Sequence, residues 1–253
     1  MSAKLFDRKR SLIALIFVVH LAFSYYYIPK YWSALAGFII ILSLSWLAWK
    51  KDYLFWTGLQ LKYKEMALTL LIAVLFLTGS LLIINRIASE NNIGFEWGNR
   101  QNFVHTFFYT LNEEIVLGAL LLKGIKSWRK KTEDWKVSIV IALLFSLVHF
   151  IFFRWVFYNS GNLNILAIAT LFLTGVLRNN LILKTGHIGY AWAVHFGWVF
   201  PMLGCIYFYE SGKNYLTDLE SFNLFLGDFR IAATVLLLAA FSFFLPKGKT
   251  IFF

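Results

Sequence analysis

Hydrophobic residues along this chain form long continuous runs and do not alternate with polar ones. Each run is close to the roughly 20 residues that a helix needs to cross the hydrocarbon core of a bilayer. Continuous runs favour helices over the alternating strands of a membrane β-barrel. The pattern predicts an all-α fold, a polytopic membrane bundle of about eight transmembrane helices. These spans cover residues 11–28, 32–49, 66–84, 103–122, 137–157, 165–183, 188–208 and 230–245.

The predicted spans divide the chain into three parts. Residues 1–102 hold helices one to three with their loops, residues 103–208 hold a core of helices four to seven, and residues 209–253 hold an outer loop and helix eight. The first run is too long for a signal peptide and is expected to be an uncleaved span that ends in the aromatic residues 25–27. Residues 54–61 are expected to form a short interfacial helix.

Composition and charge support this interpretation. The chain is 59% hydrophobic and 15% charged, against about 25% charged in soluble domains, which excludes an ordinary soluble domain and a disordered chain. With eight spans and both termini in the cytoplasm, 18 of the 24 Lys and Arg residues fall on the inner side, as the positive-inside rule requires. The net charge of +11 therefore indicates topology and a lipid bilayer partner, with no nucleic acid. We expect an integral multi-pass protein of the bacterial inner (cell) membrane.

A few ionisable residues lie inside the predicted spans, where a charge costs at least about 2.5–3.5 kcal/mol. Glu113 and Glu114 lie in the fourth span, His149 in the fifth and His195 in the seventh. At 1.5 Å rise per residue, Glu113, His149 and His195 lie roughly 14, 18 and 11 Å from the inner boundary. The three side chains are expected to share one polar cavity in the inner half of the membrane.

Other residues in the spans extend or qualify this cavity. Tyr109 precedes Glu113 by one turn on a polar face that also includes residues 106 and 110, and Phe145 precedes His149 by one turn. Glu114 points about 100° away from Glu113, so the two carboxylates are expected to differ in role. His20 and His105 are equally well explained as hydrogen-bonded buried residues. The single cysteine, Cys205, excludes an intrachain disulfide and a Cys-based zinc cluster, and it is expected to be a small hydrophobe.

A carboxylate and two imidazoles in a membrane cavity suit peptide hydrolysis. A glutamate can take a proton from water as general base, and a histidine can orient that water or donate to the oxyanion. Two histidines and a glutamate are also a possible zinc site. Because the chain has no His-Glu-x-x-His helix, we expect a mechanism without metal or other cofactor, with zinc as the alternative.

The order of these motifs resembles the CPBP family, the intramembrane glutamic endopeptidases that include CAAX prenyl-proteases and bacteriocin-processing or abortive-infection relatives. The resemblance covers about residues 103–205. It rests on Glu113-Glu114, Phe145-x-x-x-His149, the runs at 174–177 and 185–189, and His195. It implies that Glu113 and His149 activate water, that an arginine holds Glu114, that His195 helps to form an oxyanion hole, and that the site opens toward the cytoplasm.

Two positions depart from the family pattern. Gly118 stands where the family has the arginine that holds the second glutamate, and Val199 stands where it has an asparagine of the oxyanion hole. Arg178 in the sixth span is a candidate replacement for the arginine. Candidate replacements for the asparagine are Asn112, Asn179 and Asn180, although none lies in the right turn of the seventh span.

Three functions remain open from the sequence. The first is an intramembrane endopeptidase that hydrolyses a membrane-associated peptide or protein, with Glu113, Glu114, His149 and His195 as catalytic residues. The second is a catalytically silent binding or immunity protein on the same scaffold, which the departures at 118 and 199 favour. The third is a proton-coupled transporter, which the lack of an inverted repeat disfavours.

Overall fold

The computed structural model describes residues 3–23, 32–152, 164–212 and 214–246. The predicted aromatic end of the first span at residues 24–28 lies outside the described residues. So do the end of the fifth span at 153–157 and the basic residues Lys30, Arg154, Lys213, Lys247 and Lys249.

The described part of the chain is mostly helical. Its α-helices are α1 (Ala3–Leu21), α2 (Ser33–Trp49), α3 (Tyr53–Thr57), α4 (Tyr63–Glu90), α5 (Arg100–Glu113), α6 (Leu121–Trp128), α7 (Asp134–Phe152), α8 (Ile165–Thr185), α9 (Gly189–Val199), α10 (Asp218–Leu226) and α11 (Phe229–Phe244). Two π-helical segments extend this set, Glu114–Leu120 between α5 and α6 and Phe200–Gly204 after α9. A 3-10 turn at Lys50–Asp52 leads into α3, which begins one residue before the predicted interfacial helix at 54–61 and ends at Thr57.

Several of these helices are long and apolar enough to cross a membrane. Three stretches qualify among the described residues: Ser33–Thr57, Tyr63–Glu90 and Ile165–Thr185. A fourth arises if Glu220–Leu226 and Phe229–Phe244, which meet at a 63° bend, form one span. The chain is thus a helical membrane protein, while the number of eight spans and the cytoplasmic termini remain predictions.

A small antiparallel sheet corrects the all-α prediction. Strands β1 (Gly94–Trp97), β2 (Ile206–Glu210) and β3 (Asn214–Tyr215) pair in that order, with Phe95 opposite Phe208. The apolar run at 188–208 was wrongly assigned to one helix, because its last residues form β2. The side chains of β2 alternate between buried and exposed from residue 206 to 208, as in a strand. The sequence does not show this alternation, because these residues are part of a hydrophobic run.

Glycines bring the helices that carry the candidate site into close contact. A Cβ on Gly175 of α8 would lie 3.1 Å from the Cα of Ala142 on α7, so these two helices pack backbone to backbone. A Cβ on Gly197 of α9 would lie 2.9 Å from the backbone nitrogen of Leu77 on α4. Small residues at crossings are the usual means of close helix packing in membranes.

A tight reversal joins α8 to α9, the helices that carry Arg178 and His195. Gly186 ends α8 in the left-handed region, with φ of 81°, a conformation that glycine adopts without steric cost. The buried Lys123 ammonium donates a hydrogen bond to the Gly186 carbonyl at 3.0 Å and another to the carbonyl of Phe55. This lysine therefore ties α6, α3 and the α8–α9 reversal together at one end of the bundle.

The start of α11 is fixed by a local ion-pair cluster. Asp228 Oδ1 accepts from the backbone N–H of Arg230 at 2.8 Å, and its two oxygens meet the Arg230 guanidinium at 2.9 and 2.8 Å. Arg230 Nη1 lies 2.9 Å from Glu90 Oε2 at the end of α4. The hydrogen bond from Arg230 is the main cause that lowers the pKa of Asp228, so the carboxylate stays charged at neutral pH.

We predict that Asp228→Ala destabilises the protein by about 1–2 kcal/mol, the usual cost of losing an N-cap. Asp228→Asn keeps the cap oxygen and should lose less. Thermal unfolding of the detergent-solubilised variants measures both. Because the pKa of Asp228 is lowered in the folded state, its charge contributes to stability above the ordinary pKa of 3.8. This stabilisation is lost as pH falls through the folded pKa. Equal unfolding midpoints for Asp228→Ala and wild type at neutral pH would contradict this assignment.

Candidate active site

The two adjacent glutamates lie where one continuous helix changes its winding. Glu113 is the last residue of α5 and Glu114 is the first of the π-helical segment that leads into α6. π-Helical turns inside α-helices occur frequently at functional sites. Both carboxylates are fully buried, and the side chains around them come from α1, α5, α7, α8 and α9.

Glu113 lies between two imidazoles. Its Oε1 accepts a hydrogen bond from the Tyr109 hydroxyl at 2.9 Å and lies 3.7 Å from His149 Nε2. Its Oε2 lies 3.5 Å from His195 Nε2. The predicted meeting of Glu113, His149 and His195 in one layer is therefore present in the fold.

Glu114 faces a different set of partners. Its Oε1 lies 2.7 Å from Arg178 Nε and 2.8 Å from His195 Nδ1. The Arg178 Nη2 also donates to the backbone carbonyl of Glu113 at 3.1 Å. Glu114 is thus an ion-paired carboxylate that orients an imidazole, whereas Glu113 faces the imidazole nitrogens and a phenol.

Hydrogen bonds also fix which nitrogen of each histidine faces Glu113. The Nδ1 of His149 lies 2.8 Å from the carbonyl oxygen of Phe145. A carbonyl oxygen only accepts, so Nδ1 carries the proton and Nε2 is directed at Glu113. For His195, Nδ1 lies against the ion-paired Glu114, and Nε2 again faces Glu113.

Phe145 forms the apolar wall of this cluster, as its position one turn before His149 predicts. Its ring centroid lies 4.4 Å from that of His149 and 6.0 Å from that of His195. The Arg178 guanidinium carbon lies 4.2 Å from the same centroid. A guanidinium over an aromatic face gains a cation–π attraction, so Phe145 holds Arg178 as well as the two imidazoles.

Gly118 makes room for Arg178. A Cβ on Gly118 would lie 3.2 Å from Glu114 Oε2, 3.5 Å from Arg178 Nη2 and 2.6 Å from Ile182 Cδ1. Any side chain at residue 118 would therefore compete for the space that the arginine and Ile182 fill. The family has its arginine at the position of Gly118, whereas here Arg178 pairs with Glu114 from α8 and its guanidinium lies beside Gly118.

The three asparagines named as possible oxyanion donors do not take that place. The amide of Asn179, predicted to support the cavity, donates to the Ser138 carbonyl at 2.9 Å and joins α8 to α7. Asn112 donates to the Ala34 carbonyl at 2.8 Å, and Asn180 donates to Ser242 Oγ at 2.9 Å. Each of these amides links two helices. Sequence position alone did not reveal which face of its helix each asparagine occupies.

His20 is a site neighbour that sequence reasoning left undecided. It is completely buried on α1 and close enough to Glu113, His149 and Arg178 for electrostatic interaction. It lies nine residues from the start of its predicted span, and Glu113 lies nine residues from the inner end of its own. Counting residues along the two predicted spans therefore puts His20 at the depth of Glu113. His105 instead stacks on Tyr109, with ring centroids 6.0 Å apart.

Among the described residues, no group of three or more His, Cys, Asp or Glu side chains has a geometry that could hold a metal ion. A separate, mostly apolar cavity of about 250 Å³ lies between α4, α8, α9 and α11. Its lining includes Leu177 and Val194, the residues that directly precede Arg178 and His195.

The fold and this cluster define a helical membrane protein with a buried carboxylate–imidazole site. The family model described as type II CAAX prenyl endopeptidase Rce1-like matches residues 100–200, which contain every residue of the cluster except His20. This match confirms the resemblance to the CPBP family over residues 100–200. That family is one of proteases. No curated protein and no solved structure matches the chain significantly.

We predict that Arg178→Ala destabilises the protein by about 3–5 kcal/mol, the cost of leaving one buried charge without its partner. Arg178→Ala combined with Glu114→Gln should be more stable than Arg178→Ala alone, because the second change removes the uncompensated carboxylate. The measurement is thermal unfolding in detergent, with the exposed Arg129→Ala as the matched control. If the double variant were no more stable than Arg178→Ala, Arg178 would not act through Glu114.

Proposed function

We propose that this protein is an intramembrane endopeptidase that uses Glu113 to activate water and hydrolyses a peptide bond of a membrane-associated protein or peptide. The observation that carries the proposal is the position of Glu113, fully buried between His149 Nε2 and His195 Nε2 at 3.7 and 3.5 Å. The match to a protease family over residues 100–200 supports the same class of reaction.

Water activation follows from the two groups on one side of Glu113. A water molecule between Glu113 Oε1 and His149 Nε2 can donate one hydrogen to each. As the water oxygen attacks the carbonyl carbon of the substrate, its proton passes to Glu113. His149 holds the other O–H, since its Nδ1 proton is already donated to the Phe145 carbonyl.

His195 serves the carbonyl oxygen of the substrate. Its Nδ1 lies 2.8 Å from Glu114 Oε1, and the same oxygen is ion-paired with the Arg178 guanidinium. When Nε2 carries a proton, its N–H donates to the oxyanion of the tetrahedral intermediate. Glu113 then passes the proton taken from water to the leaving nitrogen, the C–N bond breaks, and the products are a carboxylic acid and an amine.

The substrate and its location follow from the setting of the site. A buried site in a helical membrane bundle is reached by peptides that enter or lie at the bilayer. The apolar cavity beside α8 and α9 suits hydrophobic parts of such a substrate. We place the protein in the bacterial inner membrane, with the site toward the cytoplasm, on the distribution of basic residues between its loops.

We predict that Glu113→Gln abolishes processing while the protein still folds and inserts, since glutamine is isosteric but cannot take a proton. Mass spectrometry of membrane-protein termini would compare cells with wild type, a gene deletion and Glu113→Gln at matched expression. Glu133→Gln, which changes an exposed carboxylate on the loop before α7, is the matched control and should process normally.

The outcome decides between hydrolysis and a silent scaffold. Termini that occur with wild type and Glu133→Gln but not with Glu113→Gln would identify the substrate and its cleavage site. Identical termini with wild type and Glu113→Gln, in cells where the deletion has a phenotype, would rule out proteolysis by this carboxylate.

A further inference from the structure

The oxyanion of a hydrolysed peptide needs donors, and the position that supplies the amide in the family holds an apolar side chain here. Val199 lies four residues after His195, on the same face of α9, and valine has no donor. The amides of Asn112, Asn179 and Asn180 are committed to contacts between helices. A second donor beside His195 has to come from another residue.

Tyr109 carries a neutral donor that reaches the site. Its hydroxyl donates to Glu113 Oε1 at 2.9 Å, the same oxygen that faces His149 Nε2 at 3.7 Å. A water activated by Glu113 and His149 is therefore adjacent to the phenol. When Glu113 takes the proton of that water, it becomes a weaker hydrogen-bond acceptor. The phenol O–H can then donate to a stronger acceptor, such as the oxyanion.

The packing of α5 on α9 directs Tyr109 and residue 199 toward the same end of the bundle relative to Glu113 and His195. Phe103 contacts Phe200 at 5.6 Å between ring centroids, and Phe107 contacts Trp192 at 5.2 Å, so the two helices are antiparallel. Tyr109 lies one turn before Glu113 on α5, and residue 199 lies one turn after His195 on α9. In antiparallel helices both steps lead toward the same end of the bundle.

We infer that Tyr109 is a further catalytic residue, whose hydroxyl donates to the oxyanion in place of an amide at residue 199. This inference rests on the proposed endopeptidase function. During attack, the Tyr109 O–H turns from Glu113 Oε1 to the negatively charged oxygen, and no proton is transferred. After collapse of the intermediate, Glu113 is again a carboxylate and the original hydrogen bond returns.

The experiment compares four forms of the full-length protein in membranes: wild type, Tyr109→Phe, Val199→Asn, and the double variant Tyr109→Phe/Val199→Asn. The readout is cleavage of a substrate identified by the terminal mass spectrometry. We predict that Tyr109→Phe lowers kcat by about 10²–10³, as expected for loss of one oxyanion donor, with little change in KM. The double variant should recover much of that loss, because the amide at 199 supplies the missing donor.

Matched controls separate this role from a structural one. Tyr63→Phe removes a hydroxyl from an exposed tyrosine at the start of α4 and should leave cleavage unchanged. If Tyr109 only positioned Glu113, Val199→Asn would not rescue Tyr109→Phe, and the inference would be wrong. Cleavage by wild type but not by Glu113→Gln in the same assay establishes the proposed function independently, so failure of one idea is distinguishable from failure of the other.

A variant with the hydroxyl retained guards against misfolding of Tyr109→Phe. Replacing Tyr109 by the more acidic 3-fluorotyrosine keeps the ring and the O–H. If the phenol donates during the rate-limiting step, the alkaline limb of the kcat profile shifts to lower pH. An unchanged profile would overturn the inference.

Discussion

The ion pair between Glu114 and Arg178 is the constraint on which the site depends. Two carboxylates in adjacent positions inside a bilayer would be strongly unfavourable without compensation. Arg178 compensates one of them at 2.7 Å and also binds the backbone carbonyl of Glu113. With Glu114 held in this way, His195 has a fixed orientation, and Glu113 is left to face the imidazoles. The position of the Arg178 guanidinium thus determines the positions of the other groups in the site.

The same ion pair explains a departure that the sequence leaves ambiguous. A glycine at 118 has the appearance of a lost arginine when the fourth span is considered alone. In the folded protein, the space beside that glycine contains the Arg178 guanidinium, so the cation has an equivalent place on another helix. Loss of a motif residue is therefore weak support for loss of activity when a neighbouring helix can supply the same group.

Much of the fold and the site could be predicted from patterns of hydrophobicity and depth. The continuous apolar runs predict most of the helices, and counting residues from the inner boundary brings Glu113, His149 and His195 together. Hydrophobicity did not predict the β2 strand, because its five residues follow an apolar helix without a polar break. Asn179 was misplaced, since one residue of rotation about α8 separates the face toward Glu114 from the face toward α7. Such rotations depend on contacts between helices, which one sequence does not display.

The π-helical segment after Glu113 affects how the two ends of its helix are rotated about the helix axis relative to each other. The N-terminal part of this helix is anchored through the Asn112 amide to α2, and its C-terminal part is anchored through Lys123 to α3 and the α8–α9 reversal. A π turn accommodates one more residue than an α turn, so it changes the angular offset between these anchors. The π-helical segment therefore changes the rotation about the helix axis between its two ends. The glutamates can face the imidazoles while each end of the helix keeps its own contacts.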